Sequence, residues 1–161
     1  MNIELPKISI KLLADCHEHI PKLAKLHYQE IGHHWVPNAS IERTEQRFEE
    51  HKNRDQLPMT FVALENARFI GMVSLRENDG IRSDLTPWLG GLVVEPNFRG
   101  KRIGELLVDK VKQQAKLFNY QELYLFAFDP TVPNWYATLG WEIISMDEFL
   151  NHPVTVMKME L

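Results

Sequence analysis

A mixed α/β domain is the fold class this sequence predicts, and three observations carry it. The 161 residues are 44% hydrophobic and 25% charged, which suits one domain with a real core. Strand-like and helix-like periods alternate through the middle of the chain, whereas strand-like runs come in pairs near residue 65 and at the C-terminal end. No repeat, linker or low-complexity segment interrupts this pattern, so a single domain over residues 1–161 is expected.

Each element has its own signal. Ile8, Ile10 and Leu12 alternate in "ISIKLL", a first strand. Asp15 and Glu18 form an Asp-x-x-Glu capping box, after which Ile20, Leu23, Ala24, His27 and Ile31 recur at helical spacing. Pro21 fits only near that start, and the helix is expected to end near Gly32. "GHHWVPNA" then reads as an irregular connection. Ser40 stands where it can cap a helix over "IERTEQRFEEHKN", whose apolar stripe is the thin set Ile41, Thr44 and Phe48. "MTFVALEN" and "RFIGMVSLRE" flank a short turn at Asn66 and Ala67, which predicts a hairpin. After the loop "NDGIRSDLTP", Trp88 to Glu95 is apolar on both faces, as a central strand is, and Gly90 with Gly91 marks a bulge or a close approach. Ile103, Leu106, Leu107, Val108, Val111, Ala115 and then Leu117 or Phe118 describe a helix ending near Asn119. "ELYLFAF" reads as a buried strand, "PNWYATLG" as a short helix closed by Gly140, and "WEIISM" and "VTVMKMEL" as two more strands.

Composition excludes several classes. The net charge of -4 argues against a general nucleic-acid binder. No apolar run approaches the roughly 20 residues that cross a bilayer, and "MNIELPKISIKLL" lacks the basic start and apolar core of a secretory leader. A cytoplasmic location without membrane attachment is therefore expected, and Asn38-Ala39-Ser40 reads as a turn and cap, not a glycosylation site. One cysteine, Cys16, forms no internal disulfide. His17 and His19, and His33 with His34, have no third ligand at zinc-like spacing, so no metal is expected.

The most informative stretch is "LGGLVVEPNFRGKRIGELLVDK", where a strand stops at Pro96 and a basic turn opens into a helix. A helix N-terminus presents unpaired N–H groups and partial positive charge, a site suited to phosphate. Arg99, Lys101 and Arg102 add full charges, while Gly100 and Gly104 leave room for close backbone approach. The spacings of a P-loop and of a dinucleotide fold are both absent, which removes kinase and dehydrogenase readings.

"VVEPNFRGKRIGELLV" resembles the acyl-CoA-binding segment of the GCN5-related N-acetyltransferase (GNAT) family, a strand ending in Val-x-Pro followed by an Arg/Gln-x-x-Gly-x-Gly/Ala turn and a helix. Arg99, Gly100, Lys101, Ile103 and Gly104 map onto that turn, whose amides bind the coenzyme A pyrophosphate in the family, and Arg102 stands where a glycine is usual. "NWYATLGWE" resembles a second signature, Tyr-x-x-x-Gly-Phe, with Tyr136, Gly140 and Trp141 in register. The resemblance runs from about Thr60 onward and implies a mostly antiparallel central sheet flanked by helices, with splayed central strands.

It also implies an acetyl-CoA cosubstrate and direct attack by a primary amine in a ternary complex. Leu92, Val93 and Val94 would pair with the pantetheine arm and polarise the thioester carbonyl, and Tyr136 would protonate the departing thiolate. Asn134 falls where family members place a further coenzyme contact. Glu77, Asp79, Asp84 and Glu95 are all candidate bases, with Glu95 more simply a solvated residue before Pro96. The resemblance puts the acceptor between the first helices and the loop before the central strand. His34, Trp35, Asp84 and Trp88 are the residues expected there, the two tryptophans serving either as walls or as packing anchors. The acceptor is a small amine or a peptide, and a homodimer is compatible with the family. The alternatives are a non-catalytic acyl-CoA-binding regulatory domain, or an acetyltransferase acting on protein N-termini or lysines.

Overall fold

Residues 7–161 are described in the computed structural model of the protein. The alternation of Ile8, Ile10 and Leu12 forms β1 (Ile8–Leu12), and the first expectation to fail comes directly after it. The Asp15–Glu18 box caps nothing. The chain instead makes two 3-10 turns, Leu13–Asp15 and His17–His19, and α1 (Ile20–His27) starts without a side-chain cap and with a proline in its first turn. Cys16 breaks the run with φ -147° and ψ 42°, its Sγ donates to Leu12 O at 3.3 Å, and Asp15 pairs with Arg54.

The helix also does not stop at Gly32. Tyr28–Gly32 widens into a π turn, and α2 (His33–Trp35) continues it, so half of the segment expected to be irregular is helical. Gly32 keeps a right-handed φ of -57° there, and the exit comes at Val36, which is extended ahead of Pro37 as the residue before a proline prefers. Ser40 caps α3 (Ile41–Glu49) as expected, accepting from Arg43 N at 3.1 Å. That helix ends four residues short of the polar run that suggested it.

The remaining elements follow their sequence signals. β2 (Met59–Glu65) and β3 (Arg68–Arg76) form the hairpin, then come β4 (Trp88–Val94), α4 (Ile103–Leu117), β5 (Glu122–Ala127) and α5 (Val132–Thr138). β6 (Glu142–Phe149) and β7 (His152–Glu160) close the chain, longer than expected, around the left-handed pair Leu150 and Asn151.

Together the strands make one seven-stranded sheet in the order β1-β2-β3-β4-β5-β7-β6. Every pairing is antiparallel except that of β4 with β5, which is parallel and consists of the single register pair Trp88↔Tyr124. Beyond Trp88 the two strands part. The register of β3 against β4 shifts between Met72 and Ser74, and Gly91 takes φ +59°, so a bulge bends β4 away at that point. The splayed sheet implied by the resemblance is present.

Two apolar layers hold this geometry. On one face α4 buries Ile103, Leu107, Val108, Val111 and Ala115 against β2, β3 and β4, each large side chain contributing about 1.5–3 kcal/mol. Leu106 and Leu117, counted in the sequence stripe, are 45% and 74% exposed, so the buried face is narrower than the apolar count suggested. On the other face α1 and α3 press Leu23 and Phe48 onto Val62 and Met72. The bend in β4 is thus fixed between two packed layers.

Candidate functional site

The strand, turn and helix quoted above enclose a cavity of about 570 Å³, the turn cavity. Its lining includes Leu92, Val93 and Val94 from β4, then Arg99, Gly100, Arg102, Ile103 and Gly104 from the turn and the start of α4. Tyr136 and Trp135 of α5 close the far side. Lys101 is the member of the basic turn that does not line it, and its Nζ lies 5.2 Å from the centre of the Phe98 ring instead. Phe98 is buried beneath the turn and holds it down.

Arg102 gives the turn its shape. It is the N-cap of α4 and adopts φ +63° and ψ 17°, the left-handed conformation that costs a residue with a Cβ roughly 1–2 kcal/mol. That is the physical reason a glycine is usual at this position. Gly100 also has a positive φ, +76°, with open space where a Cβ would be, so its requirement is conformational. Gly104 differs from the expectation that it makes room for a ligand. A Cβ there would meet Trp135 at 3.2 Å, so this glycine lets the Trp135 side chain lie against the start of α4. Arg99 turns back toward the strand, its Nε donating to Val94 O at 3.1 Å and its Nη2 pairing with Glu30 at 3.1 Å.

A second cavity of about 780 Å³ opens where β4 and β5 diverge, and we call it the splay cavity. One wall is aromatic: Trp35 stacks on Phe128 at 4.9 Å and 1°, and Phe126 stacks on Phe149 at 5.4 Å. The other wall and floor are charged or titratable, built by His27, Arg47, His51, Arg76 and Asp79. Arg76 Nη1 donates to Asp79 Oδ1 at 2.8 Å, and Arg47 Nη2 lies 3.2 Å from His27 Nε2. His51 Nδ1 bonds Thr60 Oγ1 at 2.9 Å, and Thr60 shares a 2.6 Å hydrogen bond with Ser74.

Burial governs protonation there. Desolvation first, then the Arg47 charge, pushes His27 down to about 3, and desolvation with Arg76 does the same to His51, so both rings are neutral at physiological pH. Asp79 is pushed up to about 6 by desolvation, against the opposing pull of Arg76. Gly90 is how β4 admits the carboxylate: a Cβ there would meet Asp79 at 3.1 Å, whereas Gly91 is required for its φ of +59°, a Cβ there making only ordinary contact with the His27 ring at 3.6 Å.

Tyr136 and Leu92 line both cavities. Tyr136 is 6% exposed, and burial alone raises its hydroxyl well above the ordinary tyrosine value, so it stays protonated. His34 and Trp35 reach the splay cavity as expected. Trp88, Asp84 and Asn134 do not line either cavity. Trp88 is fully buried and donates from Nε1 to Leu85 O at 2.8 Å, which makes it a packing anchor. Asp84 is held on the surface by Arg82 at 3.0 Å, and Asn134 is exposed on α5, whose cavity-lining residues are Val132, Trp135 and Tyr136. Of the four candidate bases, Asp79 faces a cavity, and Glu77, Asp84 and Glu95 do not.

Sequence reading missed Arg47, His51, Arg76 and Glu30. A signal existed for Arg47: it stands three residues after buried Thr44 and beside buried Phe48, on the inner face of α3. His27 was visible only as a stripe residue of its helix. Nothing local marks Phe126, Phe128 or Phe149. Among the described residues no group of three or more His, Cys, Asp or Glu side chains could hold a metal ion, and no helix is long and apolar enough to cross a membrane.

The same architecture occurs in solved structures. The chain superposes on an acetyltransferase from Streptococcus agalactiae with a TM-score of 0.73 at 20% identity, covering 96% of this chain and 98% of that one. An aminoglycoside 6'-N-acetyltransferase complexed with coenzyme A superposes with a TM-score of 0.72 at 17% identity, over 96% of each chain. A GNAT-family acetyltransferase from Staphylococcus aureus Mu50 gives 0.70 at 16%, over 96% of this chain and 99% of that one. No curated protein sequence matches significantly. At these identities the superpositions speak for the fold, and the family follows from the sequence itself: residues 25–141 match the model of the acetyltransferase (GNAT) family, to which this chain belongs.

Proposed function

We propose that the protein transfers an acetyl group from acetyl-CoA to the primary amine of a small molecule, by direct attack while both are bound. The observation that carries this reading is the junction of the two cavities at Tyr136 and Leu92. The turn cavity takes the coenzyme and the splay cavity the acceptor. Amides of the turn Arg99–Gly104 and the start of α4 receive the pyrophosphate, with Arg102 adding its guanidinium. The pantetheine arm runs along the edge of β4 that β5 leaves unpaired beyond Trp88. Leu92, Val93 and Val94 supply backbone groups there, Val94 O accepting through the lone pair that Arg99 does not use.

The amine nitrogen attacks the thioester carbonyl carbon, whose developing oxyanion takes a backbone N–H of β4, a donor worth about 3 kcal/mol in comparable sites. As the C–N bond forms and the C–S bond breaks, the sulfur takes the electron pair and then a proton from Tyr136. Asp79, ionised above a pKa of about 6, accepts the proton that the ammonium must lose, directly or through water. The splay cavity's volume of about 780 Å³ lies within the roughly 300–1,000 Å³ of small-molecule sites, which favours a small amine over a protein chain.

The test is release of the coenzyme A thiol from acetyl-CoA against a panel of amines and peptides, with the acetylated product identified by its mass. Release with small amines supports the reading. Tight acetyl-CoA binding without release across the whole panel would assign the chain to a regulatory acyl-CoA sensor.

A further inference from the structure

The three guanidiniums and three carboxylates that line the splay cavity do not all pair with one another. Arg76 is engaged by Asp79 at 2.8 Å, and Arg99 by Glu30 at 3.1 Å. Asp129 at the rim is turned into its own loop, accepting from Thr131 N and Oγ1 at 2.8 and 2.7 Å. That leaves Arg47. Its Nη2 sits 3.3 and 3.2 Å from the two ring nitrogens of His27, and its guanidinium carbon lies 5.6 Å from the centre of the Phe48 ring. None of these is a counter-charge: the ring of His27 is neutral, held down by burial and by Arg47 itself, and among the described residues no carboxylate lies within ion-pair distance of Arg47, since Asp79, the one that favours its charge, is bonded to Arg76. A guanidinium set into a partly desolvated wall, with only a carboxylate already bonded elsewhere to offset it, gains from an anion of its own.

Three features therefore face one space. Arg47 offers a bidentate fork for a carboxylate. Asp79 lines the same cavity, close enough for their charges to influence each other, and next to Gly90 on the bent strand. The stacked Trp35 and Phe128, continued by Phe126 and Phe149, offer an apolar surface opposite. From this we infer that the acceptor is a free amino acid with an apolar or aromatic side chain: its amine faces Asp79 and the thioester, its carboxylate pairs with Arg47, and its side chain lies on the aromatic wall.

The inference rests on the acetyltransferase reading and narrows its substrate. The chemistry balances without a further reactant: the amine loses a proton to Asp79 or water, Tyr136 protonates the sulfur, and the amide product keeps its carboxylate. A polyamine or amino sugar carries no group for Arg47 and brings like charge toward it.

The experiment compares kcat/KM for phenylalanine, leucine and methionine with that for their carboxamides and for phenethylamine, alongside a polyamine and an amino sugar. A charge-assisted hydrogen bond of about 1.5–3 kcal/mol predicts that each acid exceeds its amide by at least about 10-fold. In Arg47→Gln the gap should shrink to about 3-fold or less, and Arg47→Lys should restore part of it. An amide that equals its acid in the unaltered protein overturns the inference, and needs no variant to fold. So does a gap that Arg47→Gln leaves unchanged. Transfer to amines without regard to a carboxylate removes this inference alone, whereas bound acetyl-CoA with no transfer to any amine removes the acetyltransferase reading with it.

Discussion

The two cavities are built by different means. The turn cavity is made of consecutive residues, and what matters in it is backbone: a strand edge, a turn with left-handed positions at Gly100 and Arg102, and the amides that begin α4. The splay cavity is made largely of side chains delivered by α1, α2, α3, β3, β5, β6 and the loop after β3, and what matters in it is charge and its burial. Under the proposed assignment, the part that holds the coenzyme is written as a short stretch of chain, and the part that holds the acceptor is assembled from elements that can each change a side chain without disturbing the strand and turn.

The contrast predicts its largest effect in acid, because His27, His51 and Asp79, the groups whose large shifts fall in the acid range, all line the splay cavity. His27 and His51 bind protons at about 3 in the folded chain against an ordinary 6.5, so below 6.5 the unfolded chain takes up protons first and stability falls. Asp79 works in the opposite direction, since its folded carboxyl protonates near 6 and its unfolded one not until 3.8. Two histidines outweigh one carboxyl. Stability at about pH 4.5 should be about 3 kcal/mol lower than at neutral pH, read from denaturant midpoints. A flat profile over that range would mean that water reaches both rings.

The next effect belongs to the junction. Tyr136→Phe should lower kcat by about 10²-fold, near the lower end for a lost general acid, while the KM for acetyl-CoA stays within about 3-fold. Equal losses in kcat and in coenzyme affinity would make Tyr136 a wall of the turn cavity and nothing more.

The same contrast explains what could be read from the sequence. Strands, the long helix and the basic turn rest on local periodicity and spacing, and Arg99 to Gly104 declared themselves within six residues. Arg47 and Asp79 are 32 positions apart and line one cavity only because the fold brings α3 and the loop after β3 to it, which no local pattern records. Trp88 was a candidate wall because the resemblance puts the acceptor beside the loop before the central strand, yet the single β4–β5 pairing falls on it and it is buried as a packing anchor, the alternative reading. The misplaced start of the first helix has a similar cause: Asp15 and Glu18 satisfy the capping pattern, but the Cys16 backbone and the reach of Asp15 to Arg54 decide otherwise.

Asp79 lets the acceptor side be tested without touching the coenzyme side. Asp79→Asn should lower kcat/KM for the amine about 10-fold at neutral pH and remove an acidic limb near pH 6 from the profile of the unaltered enzyme. Affinity for acetyl-CoA should not move, since Asp79 lines only the splay cavity. A persistent limb in the variant would assign the proton to another group.

The smallest effect probes the one place where the coenzyme side departs from a purely backbone design. Arg102 holds φ +63° as the N-cap of α4, a conformation that glycine adopts at no steric cost. Arg102→Gly relieves roughly 1–2 kcal/mol of strain but frees the unfolded chain, which returns much of it. Net stability should therefore rise by less than about 1 kcal/mol. If backbone amides dominate the pyrophosphate site, acetyl-CoA affinity should fall by no more than about 5-fold, the share of one exposed guanidinium. A fall beyond about 30-fold would mean that this chain has moved phosphate binding from the amides to the Arg102 side chain, and has accepted the left-handed strain for that purpose.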